Sequence, residues 1–180
     1  MGWVLIKSIL ARKGIRFIFA GIVISITLIL LYWYQTNDNK DKEVLSRLND
    51  HIKINDVKLY LLEKQLIELL GEGEYIEGFG GHVRNYIAKK IKIGISEDSD
   101  NDYFGRVSSI TFSNPLYSIY GIKVGDSKQE AINVLKEKGY EQLEEDHFVN
   151  GEYVIAIYGE IQVQELKISF SDKDVSDRNY

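Results

Sequence analysis

Read along the chain, the pattern of hydrophobic and polar positions changes period several times. Phe17 to Tyr34, "FIFAGIVISITLILLYWY", holds no charge over 18 residues and is apolar all round rather than on one stripe. At about 1.5 Å per residue such a helix spans roughly the hydrocarbon layer, so the pattern predicts a transmembrane helix. Tyr32, Trp33 and Tyr34 stand at its far end, where amphipathic rings favour the membrane interface. Residues 35–50, "QTNDNKDKEVLSRLND", are polar with one weak apolar face of Val44, Leu45 and Leu48, which predicts a tether with a short helix. The folded body then starts near Ile52.

Within the body one pattern is stated twice. Ile52 to Lys58, "IKINDVK", matches Ile122 to Lys128, "IKVGDSK", at a shift of 70, and each is expected to lead straight into a helix. In the first copy Asp56 is the expected cap and Leu59, Leu62, Leu66, Leu69 and Leu70 form the stripe, stopped at Gly71. In the second, Ser127 and Glu130 fit a capping box, Ala131, Ile132, Val134 and Leu135 form the stripe, and Gly139 stops it. After each helix the period falls to two, as in "KIKIGIS" and "HFVNGEYVIAIYG", where Asn150-Gly151 signals a hairpin. The endings "SITFSN" and "KISFSD" match again at a shift of 58. The expected fold class is α+β: a single N-terminal transmembrane helix, then two tandem helix-plus-antiparallel-meander repeats, 51–116 and 117–175, sharing one sheet.

Charge orients the expected membrane segment. Lys7, Arg12, Lys13 and Arg16 precede it with no acid before Asp38, while the remaining 18 bases face 27 acids. The positive-inside rule then makes residues 1–16 a cytoplasmic tail, 17–34 a single-pass signal anchor, 35–50 the tether and 51–180 an extracytoplasmic domain. A cleaved signal peptide is the rival, but the site after the apolar run reads "LYWYQTND" rather than small residues. An acidic body also argues against nucleic acid as a partner.

Candidate chemistry is sparse. The chain has no cysteine, which removes disulfides, thiolate metal sites and a cysteine nucleophile. His82 lies in "GFGGHVRNY" with Arg84, Asn85 and Tyr86, and a base there needs an orienting acid and a nucleophile that the sequence does not name. His51 and His147 stand apart, with no zinc-ligand spacing. Asp98, Asp100 and Asp102 alternate as in a calcium loop, but Tyr103 replaces its glycine and Ser109 its closing glutamate, leaving an acidic hairpin tip as the plainer reading. The paired acids of "LIELLGEGEYIE" and "LEEDHF" suggest glycosidase chemistry only if a cleft exists, and solvated helix ends otherwise. Tyrosines at 60, 75, 86, 103, 117, 120, 140, 153 and 158 suit either strand packing or a protein interface. No catalytic, cofactor-binding or metal residue is assigned.

"IKVGDSKQEAINVLKEKGY" resembles the helix start of small extracytoplasmic modules of the SmpA/OmlA (BamE-like) type: an apolar residue, glycine, a polar cap, a helix and a closing glycine. The first copy departs from it at Asn55. Tandem helix-plus-meander modules also resemble the beta-lactamase inhibitor protein architecture. The resemblance implies a scaffolding or inhibitory binding module, not an enzyme, with no cofactor. The expected function is a membrane-anchored module that binds a protein or envelope component. The alternatives are an envelope hydrolase centred on His82 and a membrane sensor or immunity-type protein.

Overall fold

The computed structural model describes residues 24–32, 42–78, 80–97 and 103–170. It divides into two units, residues 1–42 and 43–180. In the first, residues 24–32 are helical. These nine described residues rise about 13 Å. Among the described residues no helix is long and apolar enough to cross a membrane. This corrects the expected transmembrane signal anchor, and with it the single-pass topology. Residues 17–23 and 33–34 of that span lie outside the described residues, as do the basic tail and residues 35–41 of the tether.

The second unit corrects the expected fold class as well: it is mostly sheet, with few and short helices. Its elements are a helix over 42–51 (α1), β1 (Ile52–Lys53), α2 (Glu63–Leu70), β2 (Glu74–Gly78), β3 (Gly81–Tyr86), a 3-10 turn (Ile87–Lys89), β4 (Ile91–Ser96) and β5 (Val107–Phe112). Then follow β6 (Ser118–Ile119), α3 (Lys128–Glu137), β7 (Glu141–Gln142), β8 (His147–Asn150), β9 (Tyr153–Tyr158) and β10 (Glu165–Phe170). Eight strands form one antiparallel sheet in the order β2-β3-β4-β5-β10-β9-β8-β7, and β1 pairs separately with β6. The two matched endings meet each other at its centre, with Ile110 opposite Ile168 and Ser109 opposite Ser169.

The first helix is shorter than its leucines suggest. Asn55, Asp56 and Tyr60 adopt left-handed backbone at φ 45°, 61° and 72°, which no helix accommodates. Leu62 is the cap instead, its N–H held by Gln65 Oε1 at 3.2 Å. Leu59 and Leu62 therefore fall outside the helix, and the helix caps correspond as Leu62 to Ser127 rather than at the shift of 70. The second helix begins at Lys128 behind Ser127, whose Oγ accepts from Glu130 N.

Alternation sorts the sheet into two faces. Arg84, Ile93, Ile110, Ile168, Ile155 and Phe148 follow one another across six strands in register. From Ile93 onward this row is fully buried, and α1, α2 and α3 add Leu48, Leu66, Ala131 and Leu135 to the same cluster. Leu48 thus belongs to the core, and Asn49 ties α1 down by donating to Leu59 O and accepting from Leu59 N. The opposite face carries Val83, Lys92, Ser109, Thr111, Lys167 and Ser169, none of them buried.

Candidate functional site: a histidine clamp behind an open edge

Among the described residues β2 ends the sheet, and its backbone pairs there with β3 on one side. All five of its residues are exposed. Register puts Tyr75 opposite Arg84 and Glu77 opposite His82. On β3, alternation turns His82, Arg84 and Tyr86 toward the helix-covered face, where α2 begins at Glu63. The strand can sit this close to β4 only because residue 81 is glycine: a Cβ there would lie 2.1 Å from Ile95 O.

These elements converge on the His82 ring, which is only 6% exposed. Its Nε2 lies 2.7 Å from Glu63 Oε1 and its Nδ1 lies 2.6 Å from Glu97 Oε1. Glu97 follows β4 directly, and its N–H donates to Gly80 O at 3.0 Å, which fixes the loop that carries it. Arg84 donates to the same Glu63 oxygen from Nε at 2.8 Å and pairs with it through a second nitrogen at 2.7 Å. Another Arg84 nitrogen lies 3.5 Å from the exposed Glu72. Tyr75 stacks on the His82 ring at 4.6 Å, and the Arg84 guanidinium lies 5.4 Å from the Tyr75 ring centre. Burial raises the Glu63 pKa, but hydrogen bonds from His82 and Arg84 and their positive charge outweigh it. The net effect holds the carboxyl below its ordinary value of 4.5. Glu63 also sits in the first turn of α2, where a negative charge meets the positive end of the helix dipole.

Each ring nitrogen faces a carboxylate oxygen, so both are engaged within the protein and neither is open to a substrate. The arrangement is therefore a clamp rather than a general base. Among the described residues no group of three His, Cys, Asp or Glu is placed to hold a metal.

No family model matches the chain, and no curated protein matches it. Among solved structures it is similar to an extracellular protein containing an SCP domain from Bacillus anthracis, at 9% identity and a TM-score of 0.46. The match covers 65% of this chain and 45% of that one, so it spans less than half of that protein's length. A likeness this loose carries no argument about activity or place.

The remaining sequence candidates scatter. Asn85 donates to Glu74 Oε2 at 2.9 Å across β2 and β3, and Tyr86 OH donates to Gly71 O at 3.0 Å. His51 packs against Tyr120, and His147 lies beside Glu144 and Tyr158. Asp98, Asp100 and Asp102 lie outside the described residues. Asp146, from "LEEDHF", pairs with the buried Lys128 at 2.5 Å. Of the tyrosines, Tyr86, Tyr117, Tyr140 and Tyr153 are core, whereas Tyr75 is 52% exposed on the edge strand. Sequence reasoning named His82 and Arg84 but missed Glu63 and Glu97. The acidic first turn of α2 was a usable signal only once that helix starts at residue 63.

Proposed function

We propose that this chain is a non-catalytic binding module that receives an extended segment of a partner protein along β2. The observation that carries the reading is the exposure of all five residues of an edge strand terminating an eight-stranded sheet. Alternate residues of such a strand direct N–H and C=O groups away from the sheet, where an extended segment of another chain can pair with them. The clamp supports this reading, because an imidazole occupied at both nitrogens favours holding over turnover. Our reading puts the module outside the cytoplasm, in keeping with a sequence free of cysteine.

The test is amide hydrogen exchange on the full chain with a panel of extended peptides of eight to ten residues (about the length of a strand). Binding peptides should slow exchange at residues 74–78. Protection confined to the open sheet face, or to the groove of about 550 Å³ beside Asn49, Lys53 and Tyr117, would refute the reading. So would hydrolysis of a peptide or ester that disappears in His82→Asn.

A further inference from the structure

We infer that the segment received by β2 is basic, with Lys or Arg flanking apolar or aromatic residues; this rests on the strand-addition reading above. Residues 71–80 contain Glu72, Glu74 and Glu77 and no base. Glu74 and Glu77 lie on the strand itself, on opposite faces of the sheet, because they are an odd number of residues apart. Tyr75 and Ile76 stand exposed between them. An incoming strand thus meets a carboxylate on each face and an apolar surface in the middle. Arg84, 5.4 Å from the Tyr75 ring centre, is already engaged by Glu63, and His82, stacked on the same ring, by Glu63 and Glu97. Glu97, half exposed and tied to His82, adds a further acid behind the strand.

A second copy of this chain fits the edge poorly. Antiparallel pairing of two β2 strands about Ile76 sets each Glu77 opposite a Tyr75 and each Glu74 opposite a Gly78, so neither strand glutamate meets a base on the second copy. A neutral strand leaves both carboxylates unanswered. A basic strand answers both, and cross-strand pairs of opposite charge are each worth a factor of up to about five in affinity. The edge is also held in place before any partner arrives. Tyr75 is stacked on a ring whose two nitrogens are bound to α2 and to the loop after β4, so little ordering remains to be done on binding.

The experiment compares three synthetic ten-residue peptides on the full chain by titration calorimetry. They share an alternating apolar framework and carry lysine, serine or glutamate at the flanking positions. The lysine peptide should bind roughly ten-fold or more tighter than the serine peptide at low salt, and the glutamate peptide most weakly. The double variant Glu74→Gln, Glu77→Gln should lose most of that preference, about ten-fold, while keeping its thermal stability, because glutamine preserves the Asn85 contact. Raising salt to 0.5 M should erase the preference in the parent chain. Equal binding of all three peptides with protection at residues 74–78 overturns the basic partner and leaves strand addition standing. Binding without protection there, or no binding by any peptide, overturns both. A β2-mediated dimer in sedimentation, abolished by Ile76→Lys, overturns the basic partner in favour of a second copy.

Discussion

Replacing Glu63 by glutamine tests the clamp most directly. One oxygen, Glu63 Oε1, receives His82 Nε2 at 2.7 Å and two Arg84 nitrogens at 2.8 and 2.7 Å. Glutamine keeps the shape and one acceptor but removes the charge. Hydrogen bonds to charged groups contribute about 1.5–3 kcal/mol each and are roughly twice as strong as neutral ones. Arg84 keeps a longer contact to Glu72, and Glu63 is partly solvated, so the loss should fall at about 1.5–3 kcal/mol, or roughly 5–10 °C in Tm. The pH dependence has a definite sign. Because folding depresses the Glu63 pKa, its contribution is complete above the ordinary value of 4.5 and is lost as pH falls through the lower folded value. The gap between parent and variant should thus close as pH falls below 4.5. Urea unfolding of the full chain by circular dichroism, repeated along that pH series, measures it. A gap under about 0.5 kcal/mol at pH 7, or one that widens on acidification, would refute the assignment.

Three further outcomes follow from the packing. Leu66→Ala and Leu135→Ala, on different helices but in one fully buried cluster, should each cost about 2–5 kcal/mol, and each should shift a single cooperative melting transition; two resolved transitions would mean separate cores. Tyr140 is buried and its hydroxyl has at most a weak contact with the Tyr120 side chain, so Tyr140→Phe should change stability by less than about 1 kcal/mol in thermal melts, and a loss above about 2 kcal/mol would refute this. Gly81→Ala should lower Tm sharply, by more than about 2 kcal/mol in stability, because its methyl meets the backbone carbonyl of Ile95 and must push β3 off β4.

The strands were the most legible part of the sequence. Ile91, Ile93 and Ile95 alternate because one face is buried, and that alternation survives in the structure as written. The hairpin between β8 and β9 is present too, although its turn centres on Gly151-Glu152, one residue beyond the Asn-Gly pair, with Gly151 taking the positive φ. The helix α3 was legible from its cap and stripe. The start of α2 was not, since leucines at 59 and 62 continue a helical spacing through a segment whose backbone turns left-handed at Tyr60. Leu48 was read as part of a weak face, yet it is fully buried, because a single side chain on a short helix suffices to cap a core. Of the apolar run 17–34, residues 24–32 are described, and among the described residues no helix is long and apolar enough to cross a membrane. The clamp was illegible for a different reason. Glu63 and Glu97 lie 19 and 15 residues from His82, and only the antiparallel register of β3 with β4 and the placing of α2 bring them to one ring.

The two edges of the sheet are treated differently, and the difference bears on function. Open edges invite association, and proteins blunt them by shortening the strand, charging it or covering it. The β7 edge is blunted by length, since it offers only Glu141 and Gln142. The β2 edge is left at five residues, long enough to template another strand, and its tyrosine is stacked rather than folded away. An edge that needed only protection could be short as β7 is, without a buried histidine and two carboxylates behind it. Buried charged groups are costly to assemble unless each is answered, and here Glu63, His82 and Arg84 answer one another directly behind the exposed strand. The arrangement makes sense if β2 must remain straight, in register and accessible. It follows that loosening the clamp should weaken strand binding even where the binding groups of β2 are untouched. In Glu63→Gln, affinity for a strand that protects residues 74–78 should fall several-fold, and hydrogen exchange of free β2 should accelerate. Unchanged exchange at residues 74–78 in that variant would separate the clamp from the edge and leave the histidine with a purely local role.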